Sequence, residues 1–293
     1  MHVSARIELA LDAALALGER EGHPPKLAQA MRHAVFPGGA RIRPTLCLAV
    51  AAACGDDHPA LADAMAASIE LLHCASLVHD DLPCFDDAPT RRGQPSVHRA
   101  FGERLAVLAG DALIVLAFET LGRGAAEAPG RLPGLVSVLA AGVGMPCGIA
   151  AGQAWECEPR VVLGDYHRAK TGALFAAAAA GGALAAGADA RAWRVLGEQL
   201  GEAYQVADDI RDSAATAQWL GKPSGRDLAL DRPNITREQG LRHALGHFAD
   251  LIAQAQQSVP PCRGATGLRR MVQRESERLV PKALLEEWLA SAA

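Results

Sequence analysis

Apolar residues recur along this chain at the three-and-four spacing of helices. Val, Ile, Thr and Tyr form no alternating runs of the kind that mark strands. Pro37-Gly38-Gly39 reads as a turn, and the segment from Arg43 to Cys54 reads as a buried helix. Asp56-Asp57-His58-Pro59 breaks the pattern. Ala60 to Asp81 is a long helical stretch that ends near Leu82-Pro83, because the residue before a proline resists the α region. Arg91-Arg92-Gly93-Gln94-Pro95 reads as a loop, and helix resumes from Leu105 to Leu121. Two further helices bracket Gly144-Met145-Pro146, followed by Tyr166 to Ala186, Ala192 to Ala214 and the C-terminal third. Gly221 to Asn234 is a polar loop, and no linker is long enough to divide the chain. The expectation is one all-α domain over residues 1–293, its helices surrounding a deep central cavity.

Composition narrows the class. The chain has 293 residues, 50% hydrophobic and 21% charged, which excludes disorder and an integral membrane protein. Ser137 to Trp155 lacks charge but is interrupted by Gly and Pro146, and Ala173 to Gly187 is too short and too weakly apolar to span a bilayer. Small residues in these runs mark helices packed backbone-close, and no stable membrane insertion is expected. The N-terminus reads as an amphipathic helix, not a signal peptide. Seven cysteines form no C-x-x-C pair, so a reducing cytoplasm fits better than a disulfide framework. A net charge of −4 gives no reason to expect nucleic acid and implies that anionic ligands need metal ions or a local basic cluster.

Two acidic runs carry the candidate chemistry. Asp80-Asp81-Leu82-Pro83-Cys84-Phe85-Asp86-Asp87 follows an apolar helix. Carboxylates at a helix C-terminus oppose its dipole, and the interleaved Leu82, Cys84 and Phe85 suggest a partly buried wall rather than a solvated end. Such a group repels itself unless a cation joins it. In Asp208-Asp209-Ile210-Arg211-Asp212, Asp208 and Asp212 are i and i+4 and share a helix face. Magnesium suits both runs, since it takes oxygen ligands, few of them from protein, with water and substrate phosphate completing its shell. Two such ends face to face form a magnesium-filled mouth for a diphosphate. Fixed cations are available at Arg41, Arg43, Arg91, Arg92, Lys170 and Lys222. Arg matches phosphate bidentately, whereas Lys acts as a point charge.

These residues resemble the trans-isoprenyl diphosphate synthases, the polyprenyl synthetase family. The likeness is strongest to bacterial farnesyl and geranylgeranyl diphosphate synthases, in particular those of carotenoid and bacteriochlorophyll pathways. It runs in order through G-G-A-R-I-R-P, H-D-D-L-P-C-F-D-D, R-R-G-Q-P-S, L-A-G-D-A-L, G-Q-A-W-E, K-T-G-A-L-F, Q-V-A-D-D-I-R-D and G-K-P-S-G-R-D, from about Phe36 to Asn234. The resemblance implies an all-α fold, usually as a homodimer. It implies magnesium on Asp80, Asp81 and Asp86 and on Asp208, Asp209 and Asp212. Arg91, Lys170 and Lys222 match residues on the allylic diphosphate, and Arg43, His73 and Arg92 match the isopentenyl diphosphate site. Thr171 and Gln205 match residues whose oxygens face the developing allylic cation, and Gln153 and Glu156 match a Gln and an Asp near the metals.

Three departures stand out. Ala40 replaces a usual Lys and removes one isopentenyl diphosphate contact, for which Arg41 is the compensating cation at hand. Arg232 replaces a Lys and keeps its charge. Glu156 is one methylene longer than the usual Asp.

The implied reaction is head-to-tail prenyl transfer from dimethylallyl, geranyl or farnesyl diphosphate onto isopentenyl diphosphate. Released pyrophosphate takes the proton, as the family mechanism implies. The main product expected is C20. Residues four and five before Asp80, Ser76 and Ala75, lie about one turn below it, where farnesyl-making relatives usually carry an aromatic floor. Both are small here, and the bulkier Leu71 and Leu72 come a turn deeper, with Phe118 on the following helix as a further wall. The alternatives are a C15 synthase and a non-catalytic regulatory subunit. A subunit of that kind is expected to have lost metal aspartates, which this chain keeps. A terpene cyclase has no second diphosphate for Arg43, His73 and Arg92 to hold.

Overall fold

A computed structural model describes residues 2–214 and 234–280, and only the backbone of residues 212–214. The chain runs through α1 (Val3–Gly18), α2 (Pro25–Val35), α3 (Ile42–Cys54) and α4 (Pro59–Asp80). After α4 come α5 (Val97–Phe101), α6 (Glu103–Gly124), α7 (Leu132–Val143), α8 (Ile149–Ala154) and α9 (Leu163–His167). A π-helical turn over Arg168–Gly172 leads into α10 (Ala173–Ala185) and then α11 (Arg191–Ala214). The remaining described helices are α12 (Ile235–Gln239), α13 (Leu241–Gln257) and α14 (Ala265–Leu279). The all-α expectation holds, with helix ends within a few residues of the sequence reading.

The main difference lies at Arg91–Pro95, expected as a loop. It is a two-strand hairpin, Thr90–Arg91 against Gln94–Pro95. Arg92 (φ 52°) and Gly93 (φ 79°) form its tip, and two consecutive positive φ values are what a two-residue hairpin turn requires. So short a hairpin has no apolar alternation to betray it.

Helix α4 is the axis. It packs against α3, α6 and α10, and every residue from Leu61 to Asp80 is buried except Asp63, His73, Ser76, Leu77 and His79. A helix apolar on most of its circumference has to be surrounded, and this one is. By length and hydropathy α4 and α6 are both able to cross a membrane, but 78% of the α4 window and 44% of the α6 window are buried inside the protein.

Helix α10 is the second hub, lying against α3, α4, α7 and α11. Its Ala and Gly residues let the neighbouring backbones touch. A Cβ on Gly182 would fall 2.2 Å from the Cys47 carbonyl oxygen of α3, and one on Gly197 of α11 would fall 2.3 Å from the Phe175 carbonyl oxygen. Neither position has room for a side chain, which is the close packing that the small-residue runs predict.

Arg41, the cation expected to compensate for Ala40, is engaged by protein groups in this structure. It sits at the N-terminus of α3 in the left-handed region (φ 49°), with its side chain buried. Nε and Nη2 donate to Glu8 of α1 (2.9 and 3.3 Å), Nη1 to Glu70 of α4 (2.7 Å), and Nη2 also to the Val35 carbonyl (2.8 Å). Gly38 makes room for this, since a Cβ there would lie 2.5 Å from the guanidinium. Arg41 therefore ties the N-terminal helix and the glycine turn to α4 through four hydrogen bonds.

Removing one partner of a buried charge pair leaves the other uncompensated, at about 3–5 kcal/mol. Glu70→Ala is expected to lower unfolding stability by about that amount, read from the urea midpoint and the melting temperature. A change under about 1 kcal/mol would mean that Glu70 does not hold Arg41.

Candidate active site

The C-terminal end of α4 supplies the first acidic run. Asp80 is the last helical residue, and the chain then turns back so that the Asp86 N–H donates to the Asp80 carbonyl (2.9 Å) and the Ala88 N–H to the Asp81 carbonyl (3.1 Å). This fold-back brings Asp86 beside Asp80. One carboxylate oxygen each from Asp80, Asp86 and Glu156 lies within 4.8 Å of the others.

The donor set fits a hard divalent cation. All three ligands are carboxylate oxygens. An octahedral ion with bonds of about 2.1 Å places neighbouring oxygens about 3 Å apart and opposite ones about 4.2 Å apart, so small side-chain adjustments close the cluster on the ion. Glu156 enters this cluster fully. The sequence placed it only nearby, and its extra methylene does not keep it out. The same carboxylate accepts from Tyr166 Oη (2.5 Å) and pairs with Lys170, whose Nζ also stands 3.9 Å from Asp80. Tyr166 was not foreseen, because nothing in its sequence neighbourhood separates it from a core tyrosine.

Asp81 departs from the expected metal set. It is 2% exposed and grips Arg91, which donates from Nε at 3.0 and 3.2 Å and from Nη2 at 2.5 Å. The period of the helix explains the split. Consecutive residues point about 100° apart, so Asp80 and Asp81 cannot both face the cluster. Asp87 turns outward to Arg99 (2.9 Å) and His98 (3.4 Å).

Gln153 of α8 donates to the Ser76 carbonyl (3.1 Å) and to Asp80 (3.3 Å), which fixes α8 against the last turns of α4. Ser76 thus lies at the acidic mouth. Ala75, 1% exposed, and Leu72, 1% exposed, are buried in the core. Ala75 shares its side of α4 with Ser68, whose hydroxyl donates to the Ala117 carbonyl of α6 (2.7 Å).

Lys170 and Thr171 lie in the π-helical turn, a distortion that often marks functional sites. Gly152 and Gly201 bring α8 and α11 against this turn. A Cβ on Gly152 would fall 2.4 Å from Lys170 backbone atoms, and one on Gly201 would fall 2.6 Å from the Gly172 Cα. Thr171 Oγ1 then donates to Gln205 Oε1 of α11 at 2.9 Å. One turn further along, Gln205 Nε2 donates to Asp209 Oδ1 at 3.0 Å.

The second acidic run also divides. Asp208 is exposed and pairs with Arg211 (2.8 Å). Asp209 is 1% exposed, and its second oxygen accepts the backbone N–H of Ile235 at 2.9 Å. Both of its oxygens accept hydrogen bonds from protein donors. Lys222, Arg232 and the Asp212 side chain lie outside the described residues.

The other basic set gathers around α3, α4 and the hairpin. Arg43 lays its guanidinium 4.5 Å above the Phe175 ring and 5.8 Å from that of Tyr204, with Nη1 3.4 Å from His73 Nε2. Its buried Nε has no hydrogen-bond partner among the described residues. Burial, and then the charges of Arg43 and Arg92, push the His73 imidazole well below its ordinary range, so it is neutral at pH 7. Arg92, on the hairpin tip, reaches within 3.7 Å of Glu70, and Gly39 leaves room for it, since a Cβ there would fall 2.8 Å from Arg92 Nε. Arg43, His73 and Arg92 thus converge, and Ala40 adds no cation to them.

Comparison with known proteins agrees with this architecture. Residues 24–260 match the family model described as polyprenyl synthetase. The chain is 56% identical over 281 residues to a geranylgeranyl diphosphate synthase of Cereibacter sphaeroides, covering 96% of this chain and 98% of that protein. It is 51% identical over 283 residues to the geranylgeranyl diphosphate synthase of Rhodobacter capsulatus, covering 96% and 97%. Among solved structures, a geranyltransferase from Legionella pneumophila superposes with a TM-score of 0.80 at 29% identity, over 94% of each chain. With near full-length identity above one half and the same helical frame around the acidic mouth, the chain belongs to the polyprenyl synthetase family.

Proposed function

We propose that this protein is a magnesium-dependent prenyltransferase that adds isopentenyl diphosphate head-to-tail to an allylic diphosphate, releases pyrophosphate, and makes geranylgeranyl diphosphate (C20). The observation that carries this reading is the convergence at one mouth of Asp80, Asp86 and Glu156 with Lys170 and the Thr171–Gln205 pair, beside a second, separate cationic set of Arg43, His73 and Arg92. One diphosphate meets the acidic mouth and the other meets the arginines.

Asp80, Asp86 and Glu156 would hold magnesium, with Asp208 and Asp212 as candidates from the second run. When bound, the ion neutralises charge that builds on the departing diphosphate. Lys170 supplies a fixed positive charge to the same group. Arg91 presents a guanidinium already oriented by Asp81, the preorganisation that makes electrostatic stabilisation effective. Thr171 and Gln205 turn oxygen toward the allylic carbon as its bond to the diphosphate oxygen breaks. Arg43, His73 and Arg92 hold isopentenyl diphosphate so that its double bond attacks that carbon. The proton lost from the new chain passes to the departing diphosphate. Water has to be kept from the reacting carbon, since it would quench the cation.

The C20 product fits small residues at Ala75 and Ser76, with Leu72 as floor. The relatives named geranylgeranyl diphosphate synthases support the same length. The catalytic unit in this reading is one domain spanning residues 1–293. Exposed Val107, Leu108 and Val115 on α6 suit a homodimer, and seven free thiols suit the cytoplasm.

Asp80→Ala or Glu156→Ala is expected to cut kcat by on the order of 100-fold or more while the circular dichroism spectrum is kept, and near-normal turnover of either would remove the metal assignment. EDTA is expected to abolish incorporation of labelled isopentenyl diphosphate, and excess magnesium to restore it. Wild type is expected to make C20 and Ala75→Phe to stop at C15; a bulky variant that still makes C20 would place the floor elsewhere.

A further inference from the structure

The buried carboxylate of Asp209 stands one helical turn from Gln205 and is not among the three carboxylates, Asp80, Asp86 and Glu156, whose oxygens lie within 4.8 Å of one another. We infer that Asp209 is a positioning residue, which sets the polarity of the Thr171–Gln205 pair so that both present oxygen, and not hydrogen, to the reacting allylic carbon. This rests on the prenyl-transfer reading above.

Donors and acceptors alternate through these three side chains. An ionised carboxylate only accepts, while a glutamine side chain ends in an acceptor oxygen and a donor nitrogen of nearly equal size. Left alone, Gln205 would point either end toward Thr171. Asp209 removes the choice. Its Oδ1 accepts from Gln205 Nε2 at 3.0 Å, so Oε1 has to face Thr171. Asp209 cannot swing away, because Oδ2 is held by the Ile235 N–H at 2.9 Å at the start of α12, and the residue is 1% exposed. The Asn234 side chain, which accepts the N–H groups of Thr236 and Arg237, fixes that helix start in turn.

The constraint passes on to Thr171. A hydroxyl carries one hydrogen and two lone pairs. Gln205 Oε1 takes the hydrogen at 2.9 Å, so the lone pairs are what Thr171 has left to offer its surroundings. A cation formed near this pair meets two oxygens. If the Gln205 amide were reversed, its NH2 would donate to Thr171, the hydroxyl hydrogen would turn outward, and the cation would meet positive hydrogens. One carboxylate decides between a favourable and an unfavourable local field, in a site where fixed dipoles act strongly. The neighbouring His167 does not fill this role, since its Nε2 is 3.9 Å from Asp209, beyond hydrogen-bond range.

The test uses full-length protein. Asp209→Asn is nearly isosteric, and its Oδ1 can still accept from Ile235, but its NH2 now faces Gln205 and forces the amide to reverse. The expected result is a fall in kcat on the order of 100-fold. KM for both diphosphates, half-saturating magnesium, and calorimetric binding of magnesium with inorganic pyrophosphate should all stay within threefold of wild type. Adding Gln205→Glu restores the pattern, because a Glu carboxylate accepts both from Thr171 and from the amide introduced at position 209. The double variant Gln205→Glu/Asp209→Asn should recover at least tenfold over the single one. The inference is overturned if Asp209→Asn keeps kcat within threefold, if its magnesium requirement rises tenfold, or if the double variant recovers nothing. If Asp209→Asn does not fold, the double variant decides alone: folded and active supports the inference, inactive overturns it. Wild type is assayed alongside, and a wild type unable to condense the two diphosphates would refute the prenyl-transfer reading itself, whereas an active wild type leaves the variants to judge Asp209.

Discussion

Carboxylates at the C-terminal end of a buried helix are the constraint that organises this protein. Asp80 and Asp81 sit where the α4 dipole is negative and where little water reaches. They need cations, and neighbouring elements deliver them. The hairpin brings Arg91 to Asp81, the π-helical turn brings Lys170 toward Asp80 and Glu156, and α8 brings the Gln153 amide. Three carboxylate oxygens still gather within 4.8 Å of one another at this end, the donor set on which the proposed cation site rests.

A second buried charge supports the basic set. Glu70 is 1% exposed, bonded to Arg41 and 3.7 Å from Arg92. It links the N-terminal helices, the glycine turn and the hairpin to the same helix that carries the acids. Arg41 and Arg92 both adopt positive φ, a local cost of order 1–3 kcal/mol each, and the ion pairs around Glu70 hold them there. The acidic cluster and the Arg43–His73–Arg92 set are therefore both positioned from one helix, by one buried carboxylate at Glu70 and an acidic end at Asp80.

Close backbone packing makes the geometry possible. Gly152 and Gly201 press α8 and α11 against the π-helical turn, so that Thr171 and Gln205 meet directly. A side chain at either glycine would push Thr171 and Gln205 apart before any acidic residue was touched. Small residues here serve the site as much as the core.

The sequence alone determined the all-α class, the family, the two acidic runs and the basic residues around them, because periodicity, turn residues and ordered motifs are local properties. It also marked the Ala- and Gly-rich runs as close-packed. Which carboxylates act together was not local. Asp80 and Asp81 are adjacent in sequence yet point about 100° apart, so one joins Asp86 and Glu156 while the other clasps Arg91. Arg41 and Arg43 look alike beside a glycine turn, but the first is consumed by Glu8 and Glu70, and the second lies over Phe175 with its Nε unpaired among the described residues. Asp208 and Asp209 divide in the same way. A side chain's identity is written in the sequence, but its partner is set by helices distant in the chain, and only the tertiary structure decides which donor reaches which acceptor.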